Sequence, residues 1–309
     1  MLVAGTRSQA GPLIDSKKRC SAMTQQPAAD VLVTTDSDAF VRALKPGDIL
    51  LFDTLIWVSN LIQFADNAPA NHCAVVLTGD RLVDAGRSTK NHPRPTTVWT
   101  FDLRDYLAHS PRTRAVQAMR MTGLDPSVGA ALDQALLTFT KATYTFAEMD
   151  LFWLAPAAMR RSYEQNLKDG GESRPGMTDD ALRILHSALM LACKLTGGRV
   201  GKDQYGLTCS EFVYLLLNLS GVAPEITSPL LAPLAQLSDG SPWPADELAA
   251  EQRLLDERRA HNAALDSGLA ARSLDVSGVQ ADRVTPGDFY RSPSLRPAAM
   301  LVMPGPPAS

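Results

Sequence analysis

The chain has 309 residues, 45 % hydrophobic and 20 % charged, a balance that can fill a sizeable core. Thirty Lys and Arg against 33 Asp and Glu leave a net charge of −3, and aromatic residues make up only 6 %, which excludes a polyanion-binding field and makes nucleic acid an unexpected partner. The longest apolar stretch, Ile49–Phe64, is broken by Asp53, Thr54, Ser59, Asn60 and Gln63, so no transmembrane segment is expected. Residues 1–30 mix Gly, Ser, Gln and Pro without periodicity and read as a disordered leader. Asp48–Phe52 follows the Pro46-Gly47 punctuation as a buried strand, and Phe52–Phe64 has the apolar spacing of a helix. Cys73–Leu77 and Arg81–Ala85, joined by Thr78-Gly79-Asp80, predict a hairpin. Thr96–Phe101 and Ala115–Met121 add strands, giving a largely antiparallel sheet of four or five.

Helical patterns then take over. Asp125-Pro126 is read as a cap and first helical residue of a helix to about Thr143, followed by helices at Leu151–Leu167, Asp179–Leu195 and Cys209–Leu219. A long charged helix, Ala245–Arg272, precedes a Pro-rich tail after Leu295. The expected class is α+β, with one domain over 40–240, a helical insertion at 150–200, and the C-terminal helix and tail over 241–309. The four cysteines, Cys20, Cys73, Cys193 and Cys209, are too scattered for a disulfide framework or a metal cluster. No cofactor or metal is expected. No apolar core follows a basic start near residue 1, so the expected location is cytoplasmic.

The most informative segment is Thr208-Cys209-Ser210-Glu211-Phe212-Val213. Thr208 and Glu211 have capping-box spacing, which places Cys209 in the first turn of an apolar helix. Free N–H groups and the positive helix end favour a thiolate there, although a small buried hydrophobe is the alternative reading. A thiolate needs an imidazole. Among five histidines, His72 opens an apolar strand at a sheet edge, whereas His92 lies in a loop, His186 in mid-helix, and His109 and His261 in polar surroundings. Asp84 interrupts the apolar Leu82-Val83-Asp84-Ala85 and is either paired or facing solvent. Register decides. A two-residue turn puts His72 and Asp84 on opposite faces, and a three-residue turn pairs Leu77 with Arg81 and puts them on one face.

Lys45-Pro46-Gly47-Asp48-Ile49-Leu50-Leu51-Phe52, Asn71-His72-Cys73-Ala74-Val75-Val76-Leu77, Leu82-Val83-Asp84-Ala85 and Thr208-Cys209-Ser210-Glu211-Phe212-Val213 together resemble the NlpC/P60 papain-like superfamily. The cysteine segment comes last, as in the circularly permuted branch with the lecithin:retinol acyltransferase-like proteins and the YiiX-like hydrolases, and its Cys-Ser-Glu-Phe-Val form is closest to the YiiX-like group. The resemblance covers about residues 40–225. It implies a permuted papain-like fold and a cysteine hydrolase acting on an amide, peptide, ester or thioester bond, with Cys209 as nucleophile, His72 as base and Asp84 orienting it. Tyr144-Thr145-Phe146 resembles the family's tyrosine segment without its following glycines, and suggests Tyr144 as an oxyanion or substrate contact. The implied partner is a peptide, amide or lipid-derived substrate. Two further readings stay open: lipid acyl transfer or hydrolysis, with Leu55–Phe64 making peripheral lipid contact, and a non-catalytic binding module.

Overall fold

Ile49–Phe52 is apolar without alternation because both faces of its strand are covered. The computed structural model describes residues 31–55, 63, 66, 68–78, 81–85, 98–110, 112–139, 142–144, 205–226, 256–257, 259–274, 279 and 281–303. The leader at 1–30, the helices read at 151–167 and 179–195, and most of the 55–64 stretch lie outside these residues. The main sheet comprises β1 (Leu32–Thr34), β2 (Ile49–Thr54), β3 (His72–Val76), β4 (Arg81–Ala85), β5 (Val98–Asp102), β6 (Thr113–Met121) and β9 (Leu295–Val302). Its order is β1-β9-β6-β2-β3-β4-β5, antiparallel throughout except for the parallel β1–β9 pair. A separate parallel pair joins β7 (Ala142–Tyr144) to β8 (Tyr205–Leu207).

Central β2 therefore buries Ile49 and Leu51 on one face and Leu50 and Phe52 on the other. The first face, with Cys73, Val75 and Val83, lies under α4 (Cys209–Leu219) and α3 (Val128–Leu136). Phe139 and Phe212 meet there edge to face with ring centroids 5.0 Å apart. The second face, with Ala74, Val76, Leu82, Val116 and Leu301, is closed by Phe40 and Val41 of α1 (Ser37–Ala43) and Leu103 and Leu107 of α2 (Leu103–Ala108). Burial on both faces is the main stabilising term, at roughly 25 cal/mol per Å² of apolar area.

Five sequence readings need correction. The sheet has seven strands, not four or five, because β1 and β9 were not read as strands. The segment after Leu295, read as a Pro-rich tail, is β9, and the sheet thus draws on residues outside 40–240. Arg296 and Pro297 disguised it. Proline has no ladder N–H, and the β6–β9 register shifts between Ala118 and Met119, where Met119 faces Pro297. The helix expected from Asp125 to Thr143 spans only Val128–Leu136, followed by a 3₁₀ turn and β7. Asp125 instead folds a turn ahead of it, its Oδ1 accepting the Ser127 N–H at 2.7 Å. Phe52–Thr54 extend β2 rather than opening a helix, and the C-terminal helix breaks at Asp266, whose Oδ1 accepts the Leu269 N–H at 2.9 Å and so starts α5 (Ser267–Leu274).

The buried Asp48 carboxylate at the sheet margin is paired. Gly47 turns the chain into β2 with φ of 87°, where a Cβ would lie 2.9 Å from Leu124 Cδ1. Asp48, fully buried, accepts the Lys45 N–H at 2.8 Å and two Arg120 hydrogen bonds at 2.7 and 2.6 Å. Replacing Arg120 with Met strands a buried carboxylate and should cost about 3–5 kcal/mol in urea unfolding. Arg81→Met at the exposed Arg81–Asp133 pair should cost less than about 1 kcal/mol. Equal losses at the two sites would contradict this account of the buried pair.

Candidate active site

Thr208 holds the start of α4 by the capping box that its spacing with Glu211 predicts. Its Oγ1 accepts the Glu211 N–H at 3.1 Å, and its own N–H donates to Glu211 Oε2 at 3.4 Å. The first intrahelical bond runs from Phe212 N–H to Thr208 C=O. Cys209 and Ser210 therefore present first-turn N–H groups that the helix itself does not use. Upstream, Asn262 grips β8 from both sides: it accepts the Gly206 N–H at 3.0 Å and donates to the Gly206 C=O at 3.1 Å. Ser210 Oγ donates to the Val284 C=O. Cys209 is thus fixed before, within and after its turn, and is 4 % exposed.

The opposing strand start is held in the same way. Asn71 receives the Thr54 hydroxyl at 2.9 Å and donates to the Thr54 C=O at 3.1 Å, tying β3 to the end of β2. Gln63 and Arg114 brace Asp53 beside it, at 2.7 and 2.6 Å. Across the hairpin, Leu77 N–H donates to Arg81 C=O and Val75 faces Val83, which is the three-residue register. Period-two alternation then puts Asp84 on His72's face. His72 Nε2 and Asp84 Oδ2 lie 2.7 Å apart, with the histidine side chain 18 % exposed and the aspartate 1 %.

Pairing between β3 and β4 is confined to Val75–Val83 and Val76–Leu82. Cys73 lies beyond that ladder and shares the buried apolar cluster of Cys209. Alternation assigns His72 and Cys73 to opposite faces, but His72 is the terminal residue of its strand, and its ring also reaches the Cys209 sulfur. With Nε2 on Asp84, the nitrogen left for sulfur is Nδ1. The Phe52 ring, 5.7 Å from the imidazole between centroids, walls the second face.

These contacts separate the charges. The Cys209 thiol is held well below its ordinary range, first by the hydrogen bond from Cys73 and then, against burial, by the charge and hydrogen bond of His72 and the Cys73 amide. Burial opposes a charged His72, yet the Cys209 thiolate and the Asp84 hydrogen bond together raise the imidazole well above its usual value. Both shifts favour the thiolate–imidazolium form of the pair.

Cys209, His72 and Asp84 thus come together. Tyr144 pairs in register with Leu207, which brings its backbone beside the strand leading to Cys209, while its side chain lies outside the described residues. His109 caps α2, and His92 and His186 lie outside the described residues. The sequence places Cys73 on a hairpin strand and gives it no role in the site. Its signal was strand alternation, which turns it towards the helix side. Asn262 had no local signal. Among the described residues, no group of three or more His, Cys, Asp and Glu is placed to hold a metal ion, and no helix is long and apolar enough to cross a membrane.

No family model matches the chain, and no curated protein matches it. Among solved structures it is similar to the crystal structure of the metalloprotein YiiX from Escherichia coli O157:H7, with 14 % identity over 85 % of this chain and 98 % of that one, at a TM-score of 0.40.

The shifted thiol sets a pH test. Iodoacetamide should alkylate Cys209 with an acid limb well below the value of about 8.5 for an unperturbed thiol. His72→Ala should move that limb upward, but only part of the way, because both Cys73 donors remain. A limb at the ordinary thiol value, unmoved by the substitution, would contradict the ion pair. Peptide mapping assigns the rate to Cys209.

Proposed function

We propose that the chain is a cysteine hydrolase working through an acyl-enzyme on an amide, peptide, ester or thioester bond, on a permuted papain-like fold in which the cysteine helix follows the histidine strand. The observation that carries this reading is the Cys209–His72–Asp84 array at the capped end of α4. A buried thiolate, an imidazolium in contact with it and a carboxylate fixing the far ring nitrogen have the roles that acyl transfer requires.

In this mechanism the Cys209 thiolate attacks the carbonyl carbon, and the displaced electron pair moves to oxygen. The Cys209 N–H, free of intrahelical bonding, donates to that oxyanion. Collapse breaks the bond to the leaving group, which takes its proton from His72 and leaves a thioester on Cys209. Neutral His72 then removes a proton from water as water attacks. The second collapse expels the thiolate and restores the imidazolium. Asp84 holds the ring so that Nδ1 faces sulfur throughout, and stabilises its positive charge.

Incubation with activated ester, thioester and amide probes should give one acyl group per chain by intact mass, located on Cys209 and absent from Cys209→Ala. Hydrolysis should follow a bell-shaped pH profile, with thiolate formation on the acid side and imidazolium loss on the alkaline side. Asp84→Asn removes a group that raises His72, so the alkaline limb should move to lower pH and the maximal rate fall by about 10–100-fold, less than the ~10⁴ of a serine triad because the proton has already moved to histidine. No adduct with any probe class would overturn the proposal.

A further inference from the structure

Asp66 takes no part in the acyl-transfer cycle, yet it is 2 % exposed and stands at the centre of a polar knot. Its Oδ1 accepts the Thr285 hydroxyl and an Arg291 N–H, both at 2.9 Å, and its Oδ2 accepts the Gly287 N–H at 2.6 Å. The Asp66 C=O takes a second Arg291 N–H at 2.8 Å. Every one of these donors belongs to Thr285 or to α6 (Pro286–Arg291), between 219 and 225 positions later in the chain. Gly287 is required for the approach, since a Cβ there would lie 2.4 Å from Asp66 Oδ2. Arg291 also reaches Asp288, so two buried carboxylates share one guanidinium. Such a group adds little net stability over apolar packing of the same volume, but its directed hydrogen bonds fix position.

The knot lies between the two halves of the site. On one side, Asp66 belongs to the segment that leads into His72. There Gln63 donates to the Pro69 C=O and to Asp53 at the end of β2, and the Asn71 N–H donates to the Phe52 C=O. On the other side, the Val284 C=O accepts the hydroxyl of Ser210, next to Cys209, and Ala281 and Val284 share the buried cluster of α4. Val284 and Thr285 are adjacent, so one residue holds the cysteine end and the next holds the histidine end.

We propose that Asp66 is a positioning residue for the Cys209–His72 pair: through Thr285 and α6 it clasps the segment leading to His72 against the strap that holds the start of α4. The proposal rests on the reading of Cys209 and His72 as a working pair, and not on which bond that pair cleaves. Apolar packing between sheet and helix is non-directional, whereas a displacement of about 1 Å at reacting groups costs on the order of 10²-fold in rate. A hydrogen-bonded clasp supplies the direction that packing lacks.

The test follows the pH dependence of Cys209 alkylation by iodoacetamide in the full chain, assigned by peptide mapping. Asp66→Asn keeps an acceptor for Thr285 but turns an amide N–H towards the Gly287 N–H. Gly287→Ala pushes the carboxylate away and leaves every donor in place. Either change should move the acid limb upward by about one pH unit, a tenfold smaller thiolate fraction on that limb. Thr285→Val, which removes a single donor to Asp66, should move it in the same direction and serves where the stronger variants do not fold. Thr285→Ser keeps the hydroxyl and should keep the wild-type limb. Arg120→Met weakens the opposite end of the sheet and should also keep it, which separates position from stability. In a His72→Ala background Asp66→Asn should add no further shift, because the contact that it positions is gone. Variants that lose stability in urea yet retain the wild-type limb would overturn the proposal, as would an equal shift with and without His72. The readout needs no acyl chemistry: a shifted limb without any acyl-enzyme sinks the hydrolase reading alone, and an acyl-enzyme with an unshifted limb sinks the clasp alone.

Discussion

A cysteine that is 4 % exposed against the end of a sheet can carry charge only if donors compensate its burial, and the surrounding structure meets that requirement. Cys73 and the His72 ring both favour the charged form of that sulfur. Asp84 stands behind His72, 1 % exposed, with its carboxylate 2.7 Å from the ring. Each charge is compensated by the next. Removing either outer member leaves a buried charge with fewer partners, so the three residues form one unit rather than three contributions.

The architecture serves this meeting point. Cys209 and His72 belong to elements 137 positions apart in sequence order, and neither could hold its place by local structure alone. The α4 end is fixed by the Thr208–Glu211 box, by the Asn262 grip on Gly206 and by Ser210 on Val284. The β3 end is fixed by Asn71 on Thr54 and by the ladder to central β2. Apolar cover on both faces of β2 and β3 then makes the sheet a rigid support. A similar acid-to-amide closure recurs at Asp48 with Lys45 and at Asp288 with Thr285, the two Pro-Gly-Asp turns of the chain. Each carboxylate also takes an arginine, Arg120 and Arg291 respectively, and Arg291 is shared with the buried Asp66.

Features written in adjacent residues were legible before any coordinates. The Thr-x-x-Glu spacing located the α4 end and the apolar run located β2, whereas the turn after Leu77 allowed two registers, of which the structure takes the three-residue one that puts Asp84 on His72's face. What failed was long-range or mixed in signal. β9 pairs with β6 across more than 170 residues and carries Arg296 and Pro297, so its apolar pattern is broken at the point where the register also shifts. β1 is three residues long, and its Leu32 and Val33 are exposed, which leaves no alternation to detect. Asn262 acts on Gly206 from a helix read only as charged surface. Cys73 was visible as a residue, but its contact with Cys209 depends on how a helix docks on a strand end, which no local pattern encodes.

The central claim is that Cys209 and His72 rest as a thiolate–imidazolium pair. The most direct measurement is ¹⁵N NMR of the His72 ring across pH in wild-type protein and in Cys209→Ala. The account requires both ring nitrogens to carry protons at neutral pH, with deprotonation well above the ordinary histidine value of about 6.5, and a downward shift in Cys209→Ala that stops short of complete loss because Asp84 remains. A neutral His72 at pH 7, with one protonated nitrogen and no response to the loss of Cys209, would contradict it.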